Sequence, residues 1–294
     1  MIGYFLAIGA AAIWSGVALS ATRIVRYFGS YNYNLLRLLG IIFFFFPYVY
    51  LNWKPIYFNE SILTAIFLSS IIGIIIGDTF LFVCLKRLGP RRQALLFSMQ
   101  IPFTIILAEV FLKTLPSLIE LIGCSLIFIG IMIAIQFNKT IPEDDLENIQ
   151  GNKYIGLLAG IGLALCQSIG IILMKPALAS TDPIIVSYLR VIVAAIIMFM
   201  SLFFIKNNQL LERMKDVKKT FYSIFLGFMG MGVGMTMLII ALKNGDPGII
   251  STLSSTMPIM IIPILWIVTK NYAGHLAVIG ATLTCFGAGV IFLN

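Results

Sequence analysis

Hydrophobic residues recur in long runs, which short polar or Gly- and Pro-containing stretches separate. A membrane-spanning helix needs about 20 consecutive apolar residues, and lipid leaves its backbone no other way to be hydrogen-bonded. The alternation of apolar and polar residues that a membrane barrel requires is absent. The pattern therefore predicts an all-α integral membrane protein with ten transmembrane helices. Their approximate ranges are 2–21, 33–51, 61–84, 91–111, 117–137, 153–173, 184–205, 220–242, 247–268 and 274–293.

Composition agrees with this prediction, because 60% of the 294 residues are hydrophobic and only 11% are charged. Soluble domains carry roughly 25% charged residues. The net charge of +8 then indicates the anionic face of a membrane rather than a nucleic-acid partner. The four cysteines lie inside apolar runs without CxxC spacing, and a single histidine supports neither a catalytic triad nor a metal cluster. We expect no enzymatic activity, no metal and no cofactor.

The chain repeats itself, which predicts a first five-helix unit at 1–137, a polar linker at 138–152 and a second unit at 153–294. At an offset of 153 residues the matching pairs are Gly3 and Gly156, Ser15 and Ser168, Leu36 and Leu189, and Arg37 and Arg190. At an offset of 157 they are Gly73 and Gly230, Gly77 and Gly234, Thr79 and Thr236, Lys86 and Lys243, Pro90 and Pro247, Lys113 and Lys270, Gly123 and Gly280, and Gly130 and Gly287. Matches of Arg, Lys, Pro and Gly are far less frequent by chance than matches of apolar residues, so they indicate a duplication.

An odd number of helices in each unit makes the second copy enter the membrane from the opposite side, so the repeats are inverted. Inverted repeats are a recurring plan of secondary transporters, whose substrate site lies near the bilayer midplane between the halves. A scaffold without a cavity is the alternative reading.

The loops on the two sides of the membrane differ in charge. Fourteen of the 20 Lys and Arg residues belong to the side that includes the linker, and four belong to the other side. The positive-inside rule then predicts that both chain ends are outside.

The sequence resembles the EamA-type members of the drug/metabolite transporter superfamily over essentially its whole length. The resemblance is carried by the duplication, by Ile13-Trp14-Ser15-Gly16, by the two Leu-Lys-x-x-x-Pro stretches at 85–90 and 242–247, and by Pro102 and Pro258. It implies a carrier of small organic metabolites such as amino acids, with a cavity lined by both halves. It also implies chain ends in the cytoplasm, against the loop charges, so the orientation stays open. Lys113 and Lys270 replace a glutamate that this family often has.

Asp78 is the sharpest functional candidate, because a carboxylate inside a span must be paired, wetted or protonated. It has Met235 at the matching position of the second copy, so the fold does not require it. We expect Asp78 to bind a proton or a cationic group, with hydrogen-bonded helix packing as the alternative. For Arg190 we expect an interior position, binding an anionic group or pairing with Asp78. For Arg37 we expect a side chain that reaches the membrane interface.

The remaining candidates for a solute path are polar or amphipathic side chains near the predicted helix bends at Pro102 and Pro258. They are Trp14, Ser98, Gln100, Gln167, Tyr188 and Ser254. The predicted function is an alternating-access exporter or exchanger in the cell membrane of a prokaryote, with proton coupling and a homodimer left open. A multidrug or cation efflux carrier is the first alternative, and a membrane enzyme or assembly partner without transport is the second.

Overall fold

The computed structural model describes residues 2–52, 60–112, 117–136, 146–180, 182–205, 208–244, 253–254, 256–270 and 274–292. We number its helices after the predicted spans in which they lie. They are α1 (Ile2–Phe28), α2 (Ser30–Asn52), α3 (Glu60–Leu88), α4 (Pro90–Phe97 and Gln100–Leu112), α5 (Leu118–Gln136), α6 (Lys153–Ser180), α7 (Pro183–Ile205), α8 (Val217–Gly227 with its continuations Phe228–Gly234 and Met235–Asn244), α9 (Met257–Thr269) and α10 (His275–Phe292). A short helix, Asn208–Met214, precedes α8.

The all-helical prediction is confirmed, since the described residues contain helices and no strand. Six of the described helices are long and apolar enough to cross a membrane: α1, α2, α3, α6, α7 and α8. Shorter apolar helices lie in the fifth, ninth and tenth predicted spans. The number of ten spans stays a prediction, because the fourth is broken and the ninth lies partly outside the described residues.

The break in the chain between α3 and α4 follows from two residues. Gly89 ends α3 with a φ of +85°, which L side chains rarely adopt, and Pro90 begins α4 with the φ that a first helical turn needs. A Cβ at Gly89 would also come within 2.7 Å of the Leu146 carbonyl oxygen. The turn is therefore sharp and leaves no room for a side chain.

Two helices contain π-helical stretches, which the sequence did not predict. Ser70–Gly77 interrupts α3 and Phe228–Gly234 interrupts α8, at positions that match in the two copies. Such stretches are rare and occur frequently at functional sites. Gly73, one of the glycines repeated in the two copies, falls in the first stretch and lies against Gly170 of α6.

The matching helices α5 and α10 pack against each other through glycine. A Cβ at Gly123 would lie 2.7 Å from the Gly287 carbonyl oxygen, and a Cβ at Gly130 would lie 2.6 Å from the Gly280 carbonyl oxygen. The pairing runs in opposite directions along the two helices, as inverted copies require. Because Gly123 matches Gly280 and Gly130 matches Gly287, each contact is the counterpart of the other.

The described end of the polar linker is docked on the first copy. We call Leu146–Gln150 the linker strap. Glu147 is 3% exposed, and its carboxylate accepts the Arg91 backbone N–H at 3.0 Å, at the beginning of α4. Arg92 donates to the Glu147 carbonyl oxygen at 2.9 Å, and Arg26 of α1 donates to the Leu146 carbonyl oxygen at 3.2 Å. The strap thus joins the ends of α1 and α3 to the start of α4.

Candidate functional site

Asp78 lies at the end of the π-helical stretch of α3 and is 8% exposed. Its Oδ2 forms an ion pair with Arg37 Nη2 of α2, and its Oδ1 accepts a hydrogen bond of 2.8 Å from Gln167 Nε2 of α6. Since α2 belongs to the first copy and α6 to the second, the carboxylate is held from both halves of the protein. With Arg190, described below, this cluster brings together three of the predicted site residues, Asp78, Gln167 and Arg190.

The expectation that Arg37 reaches the membrane interface is wrong. Arg37 is 8% exposed, its Nε donates to Asn34 Oδ1 at 3.1 Å, and its guanidinium carbon lies 4.9 Å from the centre of the Phe82 ring. A charged group at this depth is costly unless it is paired, and each of the two buried charges lowers that cost for the other. The partner of Asp78 is therefore Arg37, and the alternative pairing with Arg190 is not the one observed.

Arg190 of α7 belongs to the same cluster. Its Nη2 donates to the Ser69 carbonyl oxygen at 3.0 Å, and its charge acts on Asp78. The residue is half-buried, and the same Nη2 lies 2.8 Å from where a Cβ of Gly73 would be. Glycine at position 73 thus leaves space that the guanidinium uses in approaching α3.

Backbone carbonyls of α3 accept side-chain hydrogen bonds from three other helices. Besides Ser69, the Gly73 carbonyl oxygen accepts from Gln167 Nε2 at 3.3 Å, and the Ile74 carbonyl oxygen accepts from Asn34 Nδ2 at 3.0 Å. A π-helical stretch changes the regular backbone pairing, and in lipid any released carbonyl needs another donor. Polar side chains of α2, α6 and α7 supply these donors.

The second copy contains a reduced version of this arrangement. Trp14 Nε1 of α1 donates to the Gly230 carbonyl oxygen at 2.8 Å. Trp14 corresponds to Gln167 at the offset of 153 residues, and Gly73 corresponds to Gly230 at the offset of 157, so the two hydrogen bonds are counterparts. The counterpart of Asp78 is Met235, which offers no charge.

A second pair of counterpart bonds joins the halves nearby. Ser168 Oγ of α6 donates to the Gln100 carbonyl oxygen at 2.9 Å, and Ser15 Oγ of α1 lies 3.4 Å from the Met257 carbonyl oxygen. The repeated contacts support the duplication at the level of individual hydrogen bonds. Among the predicted site residues, Trp14 and Gln100 therefore take part in contacts between the halves.

The other predicted residues lie outside the charged cluster. Ser98, four residues before Pro102, is buried at the break of α4, and its hydroxyl donates to the Ala94 carbonyl oxygen of the same helix. Tyr188 is buried in the main apolar core, and Ser254 is half-buried in a short helical piece ahead of α9. Pro102 lies in the first turn of the Gln100–Leu112 segment, just after the break of α4, and Pro258 likewise lies in the first turn of α9.

Asn34 is the functional neighbour that the sequence reading missed. It donates to the Ile74 carbonyl oxygen and to Thr79 Oγ1, and it accepts from Arg37. Its position three residues before Arg37, one helical turn away, is a signal that would have found it.

An apolar groove of about 400 Å³ lies between α3 and α7. Ile66 in its lining is buried, and the other lining side chains are exposed or half-buried. The lining residues are Leu63, Thr64, Ile66, Phe67, Leu68 and Val193. In the part of the chain that the structure describes, no group of three or more His, Cys, Asp and Glu side chains could hold a metal ion.

Comparison with known proteins gives a family for the whole chain. The model of the EamA-like transporter family matches twice, at residues 1–136 and 154–293. A solved structure described as "Crystal structure of protein" superposes with a TM-score of 0.67 at 14% sequence identity, over 99% of this chain and 98% of that one. At that identity it supports the fold alone, and no protein of curated function matches the sequence. The two family matches cover both copies of the repeat, and the chain therefore belongs to the EamA-like transporter family.

Proposed function

We propose that the protein is a secondary transporter of small organic metabolites, such as amino acids or related compounds, which exports or exchanges them by alternating access. One observation carries the proposal: a carboxylate and two guanidiniums are gathered inside the helix bundle, on helices of both halves. Such groups are expensive in a membrane interior and are typical of solute and ion pathways. Family membership supports a membrane transporter of small molecules.

The charges of the cluster favour a solute that carries both signs. Asp78 is already paired with Arg37, so a lone organic cation would have to displace a guanidinium to bind it. A solute with an ammonium and a carboxylate group can approach Asp78 with the first and Arg190 with the second. Such a solute adds no net charge, so the cluster keeps the single positive charge that it has before binding, whereas a lone cation would raise that charge to two. This reasoning favours amino acids and similar metabolites over multidrug efflux.

Transport into vesicles containing the purified protein tests the proposal. Counterflow of radiolabelled amino acids, phosphorylated metabolites and organic amines is measured for the wild type and for Asp78→Asn and Arg190→Gln. We expect a zwitterionic class to be carried and both variants to lose at least tenfold in rate, the effect of about 1.4 kcal/mol in the barrier. The proposed solute class is wrong if only cationic drugs are carried. The site is wrong if both variants carry an identified substrate at the wild-type rate.

A further inference from the structure

The two counterpart hydrogen bonds between the halves are not equivalent. Trp14 has one N–H, which donates to the Gly230 carbonyl oxygen. Gln167 has an amide with two hydrogens, and its Nε2 lies 3.3 Å from the Gly73 carbonyl oxygen and 2.8 Å from Asp78 Oδ1. The fold therefore needs an N–H donor at this position in both copies, while the second donation occurs only where a carboxylate is present.

Gln167 lies where the two halves cross. Gly170, one turn further along α6, approaches Gly73 so closely that a Cβ on it would be 3.3 Å from the Gly73 Cα. A Cβ at Gly77 would be 3.4 Å from Gln167 Nε2. The Gln167 amide is thus in contact with the π-helical stretch of α3, through its hydrogen bond to Gly73 and beside Gly77.

Asp78 has two oxygens with different partners. Oδ2 is held by Arg37 of the same half, whereas Oδ1 is held by Gln167 of the other half. A solute cation that binds Asp78 competes for these oxygens and so weakens the donation from Gln167. In the second copy Met235 gives Trp14 no corresponding acceptor.

We propose that Gln167 is a positioning residue that couples occupation of Asp78 to the π-helical stretch of α3, and that Trp14 makes only the structural half of this contact. The proposal rests on the proposed function, since it takes Asp78 as the group that the solute engages. Gln167 acts through Asp78 and through the Gly73 carbonyl. It follows that one copy of the repeat responds to the solute while the other serves as its fixed counterpart.

The repeat itself provides the test variants. Gln167→Trp installs the residue of the other copy, which keeps one N–H for the Gly73 carbonyl oxygen and loses the donation to Asp78. The exchange follows the repeat, because Trp14 lies beside Gly234 as Gln167 lies beside Gly77. Gln167→Leu removes both donations, and Trp14→Phe removes the single donation of the counterpart.

Turnover, the half-saturating solute concentration and the melting temperature in detergent are measured for the wild type and the three variants. We expect Gln167→Trp and Gln167→Leu to lower turnover roughly tenfold. This is the lower end of the effect of losing a hydrogen bond to a charged group. Half-saturation should change much less, because Asp78 and Arg190 remain. Relative to the fall in melting temperature of each variant, Trp14→Phe should lower turnover less than Gln167→Leu does.

Two results would overturn the coupling role. One is wild-type turnover of Gln167→Leu. The other is a loss of turnover that follows the fall in melting temperature in the same way for Trp14→Phe and Gln167→Leu. Two contacts that only pack the halves together would behave in this way. Failure of the proposed function looks different, since Asp78→Asn would then transport normally or no zwitterionic solute would be carried by the wild type.

Discussion

Replacing Glu147 by alanine should destabilise the protein by leaving two buried guanidiniums without their carboxylate. The Glu147 carboxylate is 4% exposed and faces Arg91 and Arg92, whose side chains are 1% and 4% exposed. Its Oε2 lies 3.4 Å from Arg92 Nη1 and 3.6 Å from Arg91 Nη2. Alanine leaves both guanidiniums buried without this counter-charge, and the α4 terminus without the acceptor for the Arg91 backbone N–H.

The size of the effect follows from breaking one side of a buried ion pair, which costs about 3–5 kcal/mol. Because the strap lies at the helix ends, where relaxation can admit water, we expect a value near about 3 kcal/mol. Glu147→Gln keeps an oxygen for the Arg91 N–H and removes only the charge. Hydrogen bonds to charged groups exceed neutral ones by about 1–2 kcal/mol, so this variant should lose about that much.

Equilibrium unfolding in mixed micelles, followed by circular dichroism, measures these losses. Glu60→Ala is the control, since Glu60 is exposed at the start of α3 and should cost less than about 1 kcal/mol. The loss of unfolding free energy should be largest for Glu147→Ala, smaller for Glu147→Gln and smallest for the Glu60→Ala control. The reasoning fails if the free energy of unfolding of Glu147→Ala lies within about 0.5 kcal/mol of the wild-type value, the usual range for surface substitutions. The charges of the strap would then be solvated.

Three further outcomes are expected. Arg37→Gln should destabilise by about 3 kcal/mol in the same unfolding assay because it strands the Asp78 carboxylate, and adding Asp78→Asn should restore part of that loss, which a double-mutant cycle measures. Gly130→Val should cost about 1–3 kcal/mol through overpacking against the facing carbonyl of α10, with retained stability contradicting the close pairing. The hydrogen bond from Lys219 lowers the pKa of Asp216, so its stabilisation is present above about pH 4 and is lost as the pH falls through the depressed pKa. Asp216→Asn should remove this pH-dependent part of the melting temperature.

The helices and the duplication were predictable because their signals are local or repeated. An apolar run of about 20 residues reports a span by itself, and the paired Arg, Pro and Gly positions report the second copy. The depth of Asp78 in its span was readable in the same way. Depth along a helix does not say which neighbour a side chain faces, so the partner of Asp78 could not be chosen between Arg37 and Arg190.

The linker strap shows a second limit of sequence reading. A stretch rich in charges indicates an exposed linker, yet Glu147 is buried, because it is paired with Arg91 and Arg92. These partners lie 56 and 55 positions earlier, so the local sequence does not show the pairing. Burial of a charge depends on a partner that only the tertiary structure brings near. The π-helical stretches escaped prediction for a related reason, since their stability depends on donors from other helices.

The two copies differ in how closely one pair of helices packs, α2 against α8 and its counterpart, α7 against α3. Between α2 and α8 the backbones touch, since a Cβ at Gly40 would overlap the Ile224 carbonyl oxygen and one at Gly227 would overlap the Arg37 carbonyl oxygen. The counterparts of Gly40 and Gly227 are Val193 and Ser70 on α7 and α3.

Side chains at Val193 and Ser70 prevent an equally close approach, and the groove lined by Val193 lies in the gap between α7 and α3. A duplicated carrier with identical gaps would have two open states of equal energy. Under the alternating-access mechanism that we propose, glycine favours closure between α2 and α8, and Val193 opposes closure between α7 and α3. We infer that these differing side chains set the relative populations of the two states.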